Sequence, residues 1–390
     1  MSILYYILSF FVIINIIVFV HEYGHFLAAK RVGVKVSKFS IGIGPEIFGF
    51  DDKHGTHWCF SLLPVGGYVM MLGDGDIASS TEDEESLAGL SEEEKQQSFL
   101  AKNNWEKMLI MFCGPFFNYI YAFVVIFFMS ILYGTPTYEP VVGKVLKDSP
   151  AEKAGILEGD RIISVDDQKV EKYRDIILKI MDNESGKIKF LVERIGTQQE
   201  IFVTPEIKEE KESVDATKKT GIIKKLIDRR GKTKLIGIGS GAPTFERKSI
   251  IEAVQLAFYE CINTTKEMCS VFSKLFAGKK SFNDFGGIVR MAEVAGDLSK
   301  SGNFALLIMF TVTLSLNLGF INLFPLPVLD GGRILISFVE EVTGKKLNKT
   351  LQEYVMMACA ILLIFLMLLT TINDVLRIEV VSKFVSNVVG

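Results

Sequence analysis

Histidine is scarce in this sequence, with 4 among 390 residues, and cysteine is hardly commoner at 5. Cys59, Cys113, Cys261, Cys269 and Cys359 contain no C-x-x-C pair, which leaves neither a thiolate zinc knot nor a disulfide framework to read. Cys261 and Cys269 share one expected helix, about 12 Å apart along it at 1.5 Å per residue, too far to bridge. A surplus of charge is also missing. The formal net charge of -3 supplies no broad basic surface for phosphates, so nucleic acid is not an expected partner. No coiled-coil or solenoid period recurs. Polar surface is short as well: 49% of residues are hydrophobic and the mean hydropathy is +0.31. Those values exclude an ordinary soluble chain and point to a membrane protein with soluble parts.

Four apolar stretches are long enough for a hydrocarbon core of about 30 Å, which takes roughly 20 helical residues. They run from Ile3 to Ala29, Met108 to Tyr133, Phe304 to Leu326 and Tyr354 to Ile372. The first has no basic n-region and is too long for a signal-peptide core, so it reads as a retained span. Basic residues set the orientation. Lys30, Arg31, Lys35 and Lys38 follow span one, Lys102 and Lys107 precede span two, and Arg333, Lys345, Lys346 and Lys349 separate spans three and four. These loops are expected on the cytoplasmic side, with both termini and the segment from about Gly134 to Gly302 on the other.

Span one carries Val20-His21-Glu22-Tyr23-Gly24-His25, an H-E-x-x-H run in an apolar helix. Histidines at i and i+4 lie on one helix face and can reach a single tetrahedral zinc ion. Glu22, beside the first of them, suits the general base that takes a proton from a zinc-activated water. A chance match is common on solvated helices, but ionisable groups inside a membrane span are retained only for function.

A catalytic zinc needs a third protein ligand and an open fourth position. His54 and His57 lie in the polar turn Asp51-Asp52-Lys53-His54-Gly55-Thr56-His57 and read as solvated turn residues. Asp330, in Asn322-Leu323-Phe324-Pro325-Leu326-Pro327-Val328-Leu329-Asp330-Gly331-Gly332, is the better candidate. His21 lies roughly 27 Å along span one from its outer end, near the cytoplasmic level, and span three brings Asp330 to a comparable depth. Two neutral imidazoles and one carboxylate around Zn²⁺ leave a single positive charge, which makes the buried aspartate tolerable. Pro325 and Pro327 should unwind the chain just ahead of Asp330 and leave backbone free to pair with substrate. Asn317 and Asn322 can donate to substrate carbonyls or to the tetrahedral oxyanion, unless they serve only to glue helices.

HEYGH in the first span with NLFPLPVLDGG in a later one resembles the site-2 protease family of intramembrane zinc metalloproteases, in its bacterial RseP type (regulator of sigma-E protease). Gly114-Pro115-Phe116-Phe117-Asn118, the SIGIGP run at Ser40 to Pro45, LLPVGGYV at Leu62 to Val69 and one PDZ-like segment extend the match over nearly the whole chain. The resemblance implies His21, His25 and Asp330 as ligands of Zn²⁺ and Glu22 as base. It implies cleavage of membrane-spanning polypeptides such as an anti-sigma factor or leftover signal peptides, in a bacterial inner membrane. It also implies a small membrane-associated β-sheet over Ser37 to Leu72, where two strand-like runs can hold a substrate strand.

The PDZ reading rests on Ser149 to Val165, where Ser at an N-cap, Pro in the first turn and a following Gly mark a short helix before an alternating strand. Leu235 to Gly241 can close that domain. Many RseP-type chains carry two PDZ copies and this one shows a single copy, with the charged stretch from about Glu206 to Lys234 where a second would begin. Ser249 to Ala277 has helical amphipathic spacing and is expected on the outer membrane face or against the spans. The acidic residues Glu82 to Glu85 and Glu92 to Glu94 read as a solvated loop.

The fold expected is thus a polytopic α-helical membrane protein with an inserted extracytoplasmic PDZ (α+β) domain and a small membrane-associated β-sheet. Its map runs 1–35 (span one), 36–104 (sheet and acidic loop), 105–134 (span two), 135–241 (PDZ), 242–302 (amphipathic helices), 303–334 (span three), 335–353 (cytoplasmic loop) and 354–390 (span four and tail). Two rivals are weaker. A membrane PDZ scaffold or chaperone with structural zinc needs no base such as Glu22, and a zinc transporter calls for ionisable residues spread along a path.

Overall fold

The computed structural model describes residues 2–74, 90–183, 186–209, 232–277 and 287–377. The chain forms two compact units, Met1–Met129 with Ser249–Gly390, and Ser130–Lys248. The first unit begins with α1 (Ser2–Arg31), β1 (Val36–Asp51), β2 (His57–Met71), α2 (Glu92–Gln96) and α3 (Asn104–Leu132). The second holds β3 (Thr135–Thr137), β4 (Val142–Val145), α4 (Pro150–Lys153), β5 (Arg161–Val165), β6 (Gln168–Lys169), α5 (Tyr173–Asp182), β7 (Ile188–Arg194) and β8 (Thr197–Val203). It closes with β9 (Glu206–Glu209), β10 (Lys232–Leu235), β11 (Ile238–Ser240) and β12 (Thr244–Glu246). The first unit resumes with α6 (Ile250–Phe276), α7 (Ile288–Lys300), α8 (Phe304–Asn322), α9 (Asp330–Thr343) and α10 (Lys349–Arg377).

Among the described residues four helices are long and apolar enough to cross a membrane: Tyr5–Arg31, Asn104–Leu132, Phe304–Asn322 and Thr350–Ile372. The second starts ahead of its apolar run because Asn103 and Glu106 cap it reciprocally, Glu106 N–H donating to Asn103 Oδ1 at 2.9 Å and Asn103 N–H to Glu106 at 3.0 Å. The third stops at Asn322, short of the expected Leu326, because Pro325 and Pro327 cannot continue the helical ladder. Residues expected as a loop from 335 are helical as far as Thr343. Ile334, Leu335, Phe338 and Val342 recur at helical spacing behind Gly331 and Gly332, whose pairing hid the helix, and Gly344 ends it at a φ of 66°.

β1 and β2 form an antiparallel ribbon from Val36 opposite Met71 to Asp51 opposite His57, with register slips between Val36 and Phe48. Gly42 and Gly44 at φ of 91° and 99° admit the bulged stretch around Pro45. The ribbon's root is fastened to α1 by Phe39, fully buried, which stacks on Trp58 at 4.4 Å and meets Phe19 and Phe26 edge-on at 5.7 Å each. Burial of one such ring stabilises by about 2–3 kcal/mol. Asn15 on α1 donates to the Pro64 carbonyl of β2 at 2.7 Å, so ribbon and helix are joined at two levels.

Both amphipathic helices lie against spans. α6 begins at a capping box of Ser249 with Glu252, and packs Ala257 and Cys261 onto Ala122, Val312 and Leu316. α7 brings Gly296 so close to the Tyr6 ring that no side chain would fit, and Tyr6 donates to Asp297 at 2.8 Å. In the second unit a four-stranded antiparallel sheet, ordered β6-β5-β7-β8, shares a core of Ile162, Phe190 and Val192 with Ile176 of α5. The short helix at Ser149 forms as read, with Ser149 Oγ accepting from Glu152 N–H at 3.3 Å. The closing strand is β11, paired to β4 with Ile238 opposite Val145. β9 and β10 pair at the two ends of the charged stretch, whose residues 210–231 lie outside the described residues, as do Glu82 to Glu85. All five cysteines are free thiols.

Candidate metal centre

Two helical turns of α1 present His21 and His25, and the N-terminus of α9 presents Asp330 across from them. His21 Nε2 and His25 Nε2 are 3.2 Å apart, and Asp330 Oδ2 is 3.1 Å from the first and 3.4 Å from the second. Both histidines are 6% exposed. Asp330 Oδ2 is buried and has no hydrogen-bond partner. Among the described residues this is the one group of three or more His, Cys, Asp or Glu side chains able to hold a metal ion.

The donor set fits a zinc ion. Tetrahedral donors at about 2.0–2.1 Å from the metal stand about 3.3–3.4 Å apart, close to the three separations here. His25 Nδ1 donates to the Ile110 carbonyl at 2.9 Å, so its Nε2 is left as a lone pair aimed at the cluster. An unpartnered carboxylate oxygen and imidazole lone pairs facing one another in a buried space are costly unless a cation lies between them.

The loop before Asp330 is as irregular as its prolines require. Leu326 N–H bonds back to Phe324 and Leu329 N–H to Leu326, both at 2.8 Å, and the loop lies directly on Gly331 and Gly332, where any side chain would strike the Leu323 and Leu326 carbonyls. Pro325 is exposed and Pro327 half-buried on this loop. Asn322, at the end of α8, reaches the cluster with Nδ2 3.2 Å from His21 Nε2. Asn317 is half-buried on α8 and makes no hydrogen bond to the cluster among the described residues.

Glu22 turns toward the ribbon, taking a hydrogen bond from the Val69 backbone, within electrostatic reach of His21, His25 and Asp330. Gly67 of β2 permits this approach: a Cβ there would meet the Ser40 carbonyl at 2.8 Å and Val18 at 3.2 Å. The other two histidines stand apart. His54 N–H donates to Asp52 at 2.8 Å, and half-buried His57 bonds Asp51 at 2.7 Å and Glu46 at 2.9 Å, which together raise its pKa. Burial acts upward on the Asp52 carboxyl, but bonds from Thr56, Trp58 and His54 hold it at about 2.

The model of peptidase family M50 matches residues 9–366. The chain belongs to peptidase family M50. A Mesorhizobium japonicum protein provisionally named a zinc metalloprotease is 33% identical over 365 residues, 94% of this chain and 97% of that one. A similarly named Rickettsia conorii protein is 32% identical over 381 residues, 95% and 98% of the two chains. The regulator of sigma-W protease RasP of Bacillus subtilis is 29% identical over 439 aligned positions, 95% and 98% of the two.

Reading the residues one by one missed the packing that holds the donors of this M50 chain. Gly114 of α3 abuts the His25 ring and Gly24 of α1 abuts the Cys113 carbonyl, so α1 and α3 approach closely, backbone to backbone at Gly24 and backbone to ring at Gly114. Glycine inside a helix costs about 1 kcal/mol relative to alanine, and that cost was the available signal. Asn118, fully buried one turn on, has Nδ2 3.2 Å from His21 Nδ1. Arg333, in the first turn of α9, forms an ion pair with Asp74 just beyond β2 and lies 5.1 Å over the Phe99 ring.

Proposed function

We propose that this protein hydrolyses peptide bonds within membrane-spanning segments of other polypeptides, with Glu22 as base and His21, His25 and Asp330 as the zinc ligands. That it is a zinc metalloprotease follows from its family. The observation that supports the location of the chemistry is the orphaned, buried Asp330 Oδ2 facing two Nε2 atoms on a helix apolar enough to cross a membrane.

Bound by these three side chains, zinc supplies a Lewis acid and a water of lowered pKa. Glu22, beside His21, accepts a proton from the attacking water and later delivers it to the leaving amine. Asn322 donates to the oxyanion as the carbonyl becomes tetrahedral, with Asn317 further back along α8. The irregular backbone at Pro325 and Pro327 pairs with the substrate. A helix hides its carbonyls, so the substrate is cut where it has unwound, and the β1–β2 ribbon offers an edge to hold it extended.

The substrates we infer are membrane polypeptides such as an anti-sigma factor, in keeping with a relative named for sigma regulation, or remnant signal peptides. By the placement of basic residues, both termini and the second unit are periplasmic, in a bacterial inner membrane. The second unit is proposed as a PDZ domain that screens the extracytoplasmic part of substrates by binding an extended peptide or by size. A membrane scaffold with structural zinc is disfavoured, since its zinc site has no use for Glu22.

The test uses purified protein in liposomes with a model transmembrane substrate. Glu22→Gln should lower cleavage by at least a thousandfold while keeping zinc, and Asp330→Ala should lose zinc. Equal cleavage by wild type and Glu22→Gln would remove Glu22 from the mechanism.

A further inference from the structure

The hydrogen bonds around His21 contain a conflict whose resolution assigns a role to Asn118. A neutral imidazole, the form a metal ligand must take, has one N–H and one lone pair. Yet the amide nitrogens of two asparagines face its two ring nitrogens, Asn118 Nδ2 at 3.2 Å from Nδ1 and Asn322 Nδ2 at 3.2 Å from Nε2. Both cannot donate. The oxygen and nitrogen of an asparagine amide are interchangeable by a half-turn, and the network decides between them. His21 Nε2 is the atom that faces His25 and Asp330, so for metal binding Nδ1 carries the proton and Asn118 must turn its oxygen to it; with Nδ2 facing Nδ1 instead, that Oδ1 is buried without a hydrogen-bond partner.

Turned over, Asn118 Oδ1 accepts from His21 Nδ1–H, and His21 Nε2 becomes a lone pair that meets Asn322 and the cluster. His21 then matches His25, whose Nδ1–H is held by the Ile110 carbonyl. The amide is held in place. Asn118 is fully buried, its backbone carbonyl accepts from Ser315 Oγ at 3.1 Å, and Gly319 of α8 closes on its Cβ.

We propose that Asn118 is the positioning residue of His21: its side-chain carbonyl accepts Nδ1–H and fixes the tautomer that offers Nε2 to the metal. The inference rests on the reading of the cluster as the zinc site. Carbonyl or carboxylate partners of ligand histidines typically contribute 10- to 100-fold in metal affinity.

The experiment compares zinc affinity by chelator competition for intact wild type, Asn118→Asp, Asn118→Leu and Asp330→Ala, with ¹⁵N histidine spectra of metal-free wild type. Asn118→Leu should bind zinc 10- to 100-fold more weakly, while Asn118→Asp, which can only accept, should stay within about threefold of wild type. The spectra should show His21 protonated at Nδ1. An Nε2–H tautomer, wild-type affinity in Asn118→Leu, or a loss in Asn118→Asp equal to that in Asn118→Leu would each overturn the proposal. The spectra need no variant to fold. If Asp330→Ala keeps wild-type affinity, the reading of the cluster fails instead, and the tautomer still reports on Asn118.

Discussion

Gly114 lies flat against the imidazole of His25, with no room for a methyl group between them. The two come from different membrane helices, and their contact lets His25 reach the Ile110 carbonyl on one side and the metal cluster on the other. Gly114→Ala should therefore push the ring off its bond and weaken zinc binding at least tenfold by chelator competition. The helix itself gains from alanine by up to about 1 kcal/mol, so a global loss of fold is not the expected cause. Unchanged affinity would mean that the ring has freedom the structure does not show.

Zinc should stabilise the folded protein. With zinc at a hundred times its Kd, the stability gained is about 2.7 kcal/mol. Thermal unfolding of intact protein with and without a chelator should show this as a higher midpoint with zinc. Asp330→Ala should abolish the difference, and a difference that persists in that variant would point to another site.

Arg333 and Asp74 join the first turn of α9 to the chain leaving β2, with side chains 22% and 10% exposed. Because the pair is only partly buried, removing one partner should cost about 1–3 kcal/mol. Asp74→Asn and Arg333→Gln in a double-mutant cycle, read by unfolding midpoints, should give a coupling of about 1 kcal/mol or more. Additive effects would show that the two side chains stand together without holding α9 in place.

In the second unit Asp160, 1% exposed, accepts from Arg194 Nε and Nη2 at 2.7 Å each and from Leu157 N–H at 2.9 Å. Burial pushes its carboxyl pKa up, but the Arg194 and Leu157 bonds outweigh it and hold the group below its ordinary value. A carboxyl depressed on folding adds stability that is complete above the unfolded pKa of about 3.9 and is lost as pH falls through the lower folded value. The protection factors of the Phe190 strand, taken relative to the intrinsic exchange rate at each pH, should fall in acid below about pH 4. Asp160→Asn should remove about 2–3 kcal/mol at neutral pH and flatten that acid response. An unchanged acid response would assign it to other carboxylates.

The spans and the two strands of the ribbon were readable in the sequence because each signal is local: an apolar run, an alternation, a polar turn. The level of Asp330 relative to His21 was readable too, by counting rise along two helices. α9 was not, since Gly331 and Gly332 look like breakers, and only the folded loop shows them as seats for the Leu323 and Leu326 carbonyls. The roles of Gly114 and Asn118, noted in the sequence only as part of the resemblance, and the Arg333–Asp74 pair escaped for a common reason. Each acts on a partner supplied by an element remote in the chain, and no pattern within one segment reports such a meeting.

Along its most apolar window, α10 has no fully buried residue among those described. Its Leu362, Phe365 and Leu369 are more than 40% exposed, while Asp374 near its end is buried and accepts from the Arg290 backbone of α7 at 3.1 Å. The helix is therefore moored at one end, and the surrounding lipid does what a protein core does elsewhere. Swapping bilayer for micelle replaces most of that helix's neighbours at once, so loosening during solubilisation should begin there, before the zinc-bearing helices part.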